Sequence, residues 1–464
     1  MTETDRKGVA IIGAGFAGSE AAWQLARRGI RAHLFEMRPV RMTEAHQTDQ
    51  CAELVCSNSF KSIQPENAHG LLKAELEQQG SLIVAGAMEH RVPAGQALAV
   101  DREGFSRWVT NRLQAHPAIT FHREEVSDPA ALLSRYERVI IATGPLTSEA
   151  LAKNLAHLTG EDQLYFFDAI APVIEADTID QQVAFRASRY DKGEADYLNC
   201  PMNRDEYMTF VRAVLEAERV AFHAFESLRP FEGCLPIEVM AERGEMTLAF
   251  GPMKPVGLID PRTGKKPFAV VQLRQENARG TLYNMVGFQT KMTWPEQRRI
   301  FRTIPGLEQA EFARLGSLHR NTFLCAPKLL NADLALRNTP RLHLAGQITG
   351  VEGYIESTAM GLYAGKRIAS ALLGKDLPPP SPHTMTGALV RYLLDTDPTR
   401  FQPMNAAFGL LDGAPSGLSK RERKAHYSKT ALEETARLEA LETGLEPPAA
   451  DEAQTLASIA SGLG

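Results

Sequence analysis

The stretch that most restricts what this chain can become runs from Gly8 to Glu36, GVAIIGAGFAGSEAAWQLARRGIRAHLFE. A short apolar run, Val9 to Ile12, enters Gly13-x-Gly15-x-x-Gly18. Apolar residues then recur at helical spacing (Ala17, Ala21, Ala22, Leu25), and a second strand follows Gly29 and ends at Glu36. This is the order of a βαβ dinucleotide unit. Gly13 makes the tight turn, Gly15 admits the backbone to a pyrophosphate, and Gly18 allows helix and strand to pack closely. The helix N-terminus favours an anion through its free N–H groups. Glu36 stands where a carboxylate accepts from ribose hydroxyls.

At 464 residues the chain is too long for one simple core, and two or three domains are expected. Hydrophobic residues make up 44% and charged residues 23%, ordinary for a soluble protein, and the net charge of −5 means that any nucleic-acid surface must be a local patch. The polar start MTETDRKG fits neither a signal peptide nor a membrane span, so a cytoplasmic protein without a membrane partner is expected. Five cysteines, Cys51, Cys56, Cys200, Cys234 and Cys325, argue against a disulfide framework. No metal-ligand spacing is expected to form a metal site.

Beyond Glu36 the polar loop MRPVRMTEAHQTDQ leads to CAELVCSNSFKS and a helix-like stretch from Asn67 to Gln79. Such a loop behind a dinucleotide turn reads as a site rather than a connector. The strand Arg138 to Ile141 ends in Ala142-Thr143-Gly144, an arrangement similar to the one at which glutathione-reductase-type flavoproteins pass close to their dinucleotide. Short alternating segments from about Arg186 to Leu324 suggest an inserted α+β domain. Within it, Arg262 to Arg302 is rich in Lys and Arg (Lys265, Lys266, Arg274 and Arg298 among them), with Tyr283, Phe288 and Trp294 interleaved; taken alone this reads first as a solvated face beside core aromatics, and it also suits a phosphate backbone and stacked bases. The strand Arg341 to Leu344, the turn Ala345-Gly346-Gln347-Ile-Thr-Gly350 and a small-residue helix return the chain to the first domain. A Pro-rich linker at 377–382 precedes a helical tail with a basic-then-acidic helix from Ser419 to Glu442.

Cys51 and Cys56 form C-x4-C behind the dinucleotide unit, as in pyridine-nucleotide disulfide oxidoreductases. Those enzymes need a second G-x-G-x-x-G for the nicotinamide cofactor, and this chain has none after Ala150, which leaves that alternative without an electron input.

The motifs GAGFAGSEAAWQLARRG, ELVCSNSFKS, PAGQALAVDR, IATGPLTSE, SRYDKGEADYLNCPM, FEGCLPIEVMAERG, FGPMKPVGL, LYNMVGFQT and AGQITGVEGYIESTAMGL occur in that order. Together they resemble the folate- and flavin-dependent tRNA (uracil-5-)-methyltransferases, the TrmFO family, within the wider GidA/MnmG group. The resemblance covers the chain from the first strand to about Gly374 and continues in FQPMNAAFGLL. It implies an α/β fold: an FAD-binding Rossmann-like domain of glutathione-reductase type (1–185, resuming at 326–375), an inserted smaller α+β domain (186–325) and a linker with a helical C-terminal tail (376–464). It implies methylation of C5 of a T-loop uridine in tRNA, with 5,10-methylenetetrahydrofolate as carbon donor, reduced FAD as reductant, NADPH or NADH as its electron source and tetrahydrofolate as product. Carried over by motif, Gly13, Ala14, Gly15, Phe16, Ala17, Gly18, Glu36, Thr143, Gly144, Gly346, Gln347 and Gly350 would bind FAD. Cys56 and Cys234 would be the active-site thiols, with Cys56 the nucleophile or the thiol contacting flavin-bound carbon. Glu352 and Tyr354 would anchor the folate, and Lys265, Lys266, Arg274 and Arg298 would face tRNA.

Overall fold

The computed structural model describes residues 8–43, 45–160, 164–169, 171–191, 194–220, 235–316, 318–415 and 417–443. At its centre lies a six-stranded sheet in the order Ala335–Leu336, Thr339–Leu344, Arg138–Ile141, Val9–Ile12 (β1), Ala32–Phe35 (β2), Ile119–His122. All its neighbours are parallel except the two-residue edge strand beside Thr339–Leu344. Helices cover both faces of a parallel sheet, so its strands read as continuous apolar runs rather than alternating ones. Val9, Ala10, Ile11 and Ile12 are all buried.

Helix Phe16–Arg27 (α1) connects β1 to β2. It ends where Gly29 adopts φ 75°, a conformation costly for residues with a Cβ, while Gly29 N–H donates to Ala26 O and Ile30 N–H to Leu25 O. The long helix Tyr354–Leu372 packs along α1 at backbone distance: a Cβ on Gly361 would lie 2.1 Å from Ala17 O, and one on Gly365 would lie 3.0 Å from Ala21 O. Small residues thus set the spacing that holds both helix N-termini at the C-terminal edge of the sheet.

A second six-stranded sheet is antiparallel throughout, in the order Phe185–Ala187, Tyr197–Met202, Ala269–Gln275, Leu282–Met285, Val173–Glu175, Phe312–Arg314. Its core includes Tyr207, Phe210 and Phe301 from the helices packed on it and Phe288 from the loop after Leu282–Met285. Val173–Glu175 belongs to this sheet although it precedes position 186; three residues are too few to show strand alternation in the sequence. The tail helices Met385–Asp395 and Lys420–Thr443 pack back onto the first core, where Met385, Leu389 and Ala431 are buried. Among the described residues no helix is long and apolar enough to cross a membrane, and no group of His, Cys, Asp and Glu is arranged to hold a metal ion.

Candidate functional site

The C-terminal edge of the parallel sheet opens into a cleft of about 980 Å³. Gly13, Gly15, Phe16, Ala17, Glu36, Thr143, Gly144, Gly346, Gln347 and Tyr354 all line it. Crevices at the carboxyl ends of parallel strands are where α/β folds take ligands, because loops and helix N-termini converge there. Gly13 has φ 99°, and a Cβ there would lie 2.6 Å from Ala142 O. Gly15, at the α1 N-cap, has open space where its Cβ would be, and no side chain caps the helix. The first N–H groups of α1 therefore face the cleft with room for an anion. Gly18 is structural: a Cβ there would lie 1.8 Å from Gly13 O.

Glu36 is 5% exposed, and its carboxylate accepts from Ala14 N (2.9 Å), Arg38 N (3.0 Å) and Arg38 Nε (2.8 Å). Burial alone would raise its pKa, but the Arg38 guanidinium and these donors outweigh it and hold the carboxyl below its ordinary range. Arg38 also donates to Glu53 Oε2 and Thr48 O, each at 3.0 Å. Glu53 accepts in turn from Gln47 N, Thr48 N and Thr48 Oγ1. This buried ladder fixes the polar loop behind β2 and brings 53–58 to the cleft edge.

Cys56 is held there at both ends of its peptide unit. Its N–H donates to Tyr354 Oη at 2.8 Å, and its carbonyl accepts from Arg314 Nη2 (2.9 Å) and Arg102 Nη2 (3.2 Å). Tyr354 begins the long helix and stacks on Phe16, ring centroids 4.5 Å apart. The same phenol therefore joins the dinucleotide turn to the cysteine. Two residues on, Asn58 is fully buried: its Nδ2 donates to Val100 O, Gln275 O and Glu276 O, and its Oδ1 accepts from Arg274 Nη2 at 3.0 Å. Those bonds fasten the Cys56 loop to the second sheet.

Not every residue expected at the cleft lines it. Ala14 acts through its N–H on Glu36. Gly350 backs onto Phe401, 2.5 Å from where a Cβ would sit, and Glu352 accepts from Gln347 Nε2 at 2.5 Å. Lys265, Lys266 and Arg298 are exposed, whereas Arg274 is 7% exposed and bound to Asn58. The basic run is partly neutralised, since Arg262 pairs with Asp260, Arg299 with Glu296 and Arg302 with Glu311. Cys234 lies outside the described residues. Cys51 is a fully buried free thiol, pushed up to about 11 by burial, which does not suit it for thiol exchange with Cys56. Arg102, Arg314 and Glu276 join the site without any sequence signal for it; only Arg102, at the end of ALAVDR, stands in a conspicuous motif.

Residues 8–376 match the family described as glucose inhibited division protein A. A Syntrophus aciditrophicus protein named methylenetetrahydrofolate–tRNA-(uracil-5-)-methyltransferase TrmFO is 54% identical over 431 residues, 92% of this chain and 97% of that one. The chain belongs to the TrmFO family. Proteins of the same name from Geobacter sulfurreducens (56% identical over 427 residues, 92% of this chain and 97% of the other) and Paramagnetospirillum magneticum (56% over 443 residues, 93% and 98%) agree. Among solved structures, GidA from Aquifex aeolicus superposes with a TM-score of 0.65 at 17% identity, over 92% of this chain and 76% of that one, a likeness of fold.

Proposed function

We propose that this protein methylates C5 of a T-loop uridine in tRNA, taking the carbon from 5,10-methylenetetrahydrofolate and the electrons from reduced FAD. The observation that carries this reading is the Tyr354 link: a phenol on the wall of the dinucleotide cleft holds the backbone of Cys56 at 2.8 Å. A thiol kept at the mouth of a dinucleotide cleft is what the reaction needs, and relatives at 54–56% identity carry the corresponding name.

The cleft residues fit FAD. The α1 N-terminus and the open space at Gly15 suit a pyrophosphate, the Glu36 carboxylate suits ribose hydroxyls, and Thr143, Gly144, Gly346 and Gln347 close the far side. When bound, FAD supplies in its reduced form the two electrons that a methylene carbon lacks, and NADPH or NADH restores it.

Uracil C5 is a poor nucleophile. Addition of the Cys56 thiolate to C6 forms an Sγ–C6 bond and moves the C5–C6 π pair into an enolate. C5 then bonds to the methylene carbon and loses its proton; the bond from that carbon to the folate nitrogen breaks, tetrahydrofolate leaves with the electron pair, and a hydride equivalent from the reductant reaches the carbon as the Sγ–C6 bond breaks and the thiolate departs. Tyr354, Arg102 and Arg314 keep Cys56 fixed through its peptide unit during these steps. Cys234, in the FEGC motif, is assigned as the second thiol. Tyr354 and Glu352 are assigned to the folate. Lys265, Lys266 and Arg298 are assigned to the tRNA backbone; Arg274, buried beside Asn58, is assigned to the Cys56 surroundings rather than to phosphate.

The test is to incubate the yellow protein with tRNA lacking 5-methyluridine, methylenetetrahydrofolate and NADPH, then analyse the nucleosides by mass spectrometry. Product is expected from the native enzyme and none from Cys56→Ala. Absence of product from enzyme with FAD demonstrably bound would overturn the reading.

A further inference from the structure

The surroundings of Cys56 hold more positive charge than they neutralise. Arg102 leaves the end of Ala97–Val100, Arg274 lies on Ala269–Gln275, and Arg314 ends Phe312–Arg314, so three elements send guanidinium groups to one point. Arg102 and Arg314 reach the Cys56 carbonyl, and Arg274 reaches Asn58 Oδ1 two residues on. The acid beside these guanidinium groups is Glu276, 4% exposed, which pairs with Arg102; the other titratable groups facing them are Tyr197 and Tyr354. Three cations thus face one carboxylate. Arg102 Nη1, Arg314 Nε and Glu276 Oε2 are buried there without a hydrogen-bond partner among the described residues.

Burying unneutralised guanidinium groups is costly, and an anion among them relieves that cost. Two of the three also donate to the Cys56 carbonyl, which holds the residue within their field. We propose that Arg102 and Arg314, balanced by Glu276, are positioning residues that hold Cys56 by its carbonyl and keep its sulfur in the anionic form. The cluster sits at the junction of the two sheets, because Arg102 comes from the first-domain side and Arg274 and Arg314 from the second sheet. Thiolate formation is therefore tied to correct docking of the two parts. This proposal rests on reading Cys56 as the reactive thiol, but its test needs no tRNA or folate.

The test follows carbamidomethylation of Cys56 in the holoenzyme by iodoacetamide across pH, with the Cys56 peptide quantified by mass spectrometry. Only the thiolate reacts, so the midpoint reports its formation. For native enzyme the midpoint should lie below that of an ordinary exposed thiol. Arg102→Gln and Arg314→Gln should each raise it, slowing labelling near neutral pH by about tenfold. Glu276→Gln should shift it the opposite way and speed labelling, a direction that loss of folding cannot imitate from a thiolate already favoured. Arg314→Lys, which keeps the charge, should recover most of the midpoint. Cys51 and Cys200, both fully buried, serve as the folding control and should stay unlabelled in every variant. Midpoints in Arg102→Gln and Arg314→Gln that coincide with native enzyme, or a Glu276→Gln midpoint that rises, would overturn the proposal.

Discussion

Gly15→Ala separates what the dinucleotide turn does for the fold from what it does for a ligand. In the free protein a Cβ at Gly15 would meet no heavy atom within 4 Å, and the residue has φ −72° and ψ −165°, a conformation open to alanine. The variant should therefore fold with a stability within about 1 kcal/mol of native, because alanine's restriction of the unfolded chain is offset by its poorer fit at a helix N-cap. The added methyl would occupy the space through which a pyrophosphate approaches the first N–H groups of α1. Loss of one charge-assisted hydrogen bond costs about 1.5–3 kcal/mol, or roughly ten- to over a hundredfold in FAD affinity. Thermal unfolding of the apoprotein and titration of flavin fluorescence measure the two effects. An unchanged Kd for FAD would show that the pyrophosphate does not lie at this turn, and a large fall in apoprotein Tm would refute the steric reasoning.

Gly18→Ala and Gly361→Ala should do the reverse, since their Cβ atoms would lie 1.8 Å from Gly13 O and 2.1 Å from Ala17 O. Each should destabilise the apoprotein by about 1–3 kcal/mol or more, read in the denaturation midpoint, because backbone must move to admit the methyl. His343, 4% exposed with Nδ1 3.0 Å from Asp333 O, is lowered to about 4 chiefly by burial. Its folded form resists protonation while the unfolded one accepts it at an ordinary pKa, so stability is full above about pH 6.5 and falls by up to about 3 kcal/mol towards pH 4. His343→Gln should flatten that part of the Tm–pH profile; an unchanged slope would exclude His343 as its source. Lys265→Ala with Lys266→Ala should weaken tRNA binding and make log Kd less steep in log salt by up to about 2; equal affinities and slopes would remove these residues from the interface.

Much of the part built on the parallel sheet can be read from the sequence because its determinants are local. Parallel strands buried on both faces are unbroken apolar runs, and the turn between β1 and α1 needs glycine at 13 and 18 for reasons of contact with backbone. Helices at 68–78, 102–114 and 420–443 likewise follow from short-range pattern. The surroundings of Cys56 are a different matter. Arg102, Arg274 and Arg314 are separated by many tens of residues and meet only because two sheets dock, and Arg274 sits in a basic run whose composition suggested a phosphate surface. Burial turns the same residue type from solvated charge to site charge, and burial at a junction of sheets leaves no local trace. The Glu36–Arg38–Glu53 ladder is similar: its carboxylates look like solvated loop charges until the turn closes on itself.

The methyl carbon of 5-methyluridine is proposed to come from the folate and to be reduced at the flavin cleft beside Cys56. Supplying the enzyme with methylenetetrahydrofolate deuterated at its methylene carbon, together with NADPH and tRNA lacking 5-methyluridine, tests it most directly. Native enzyme should form 5-methyluridine that retains both deuterons in its methyl group, and Cys56→Ala should form none. Unlabelled 5-methyluridine, or labelled product from Cys56→Ala at the native rate, would contradict it.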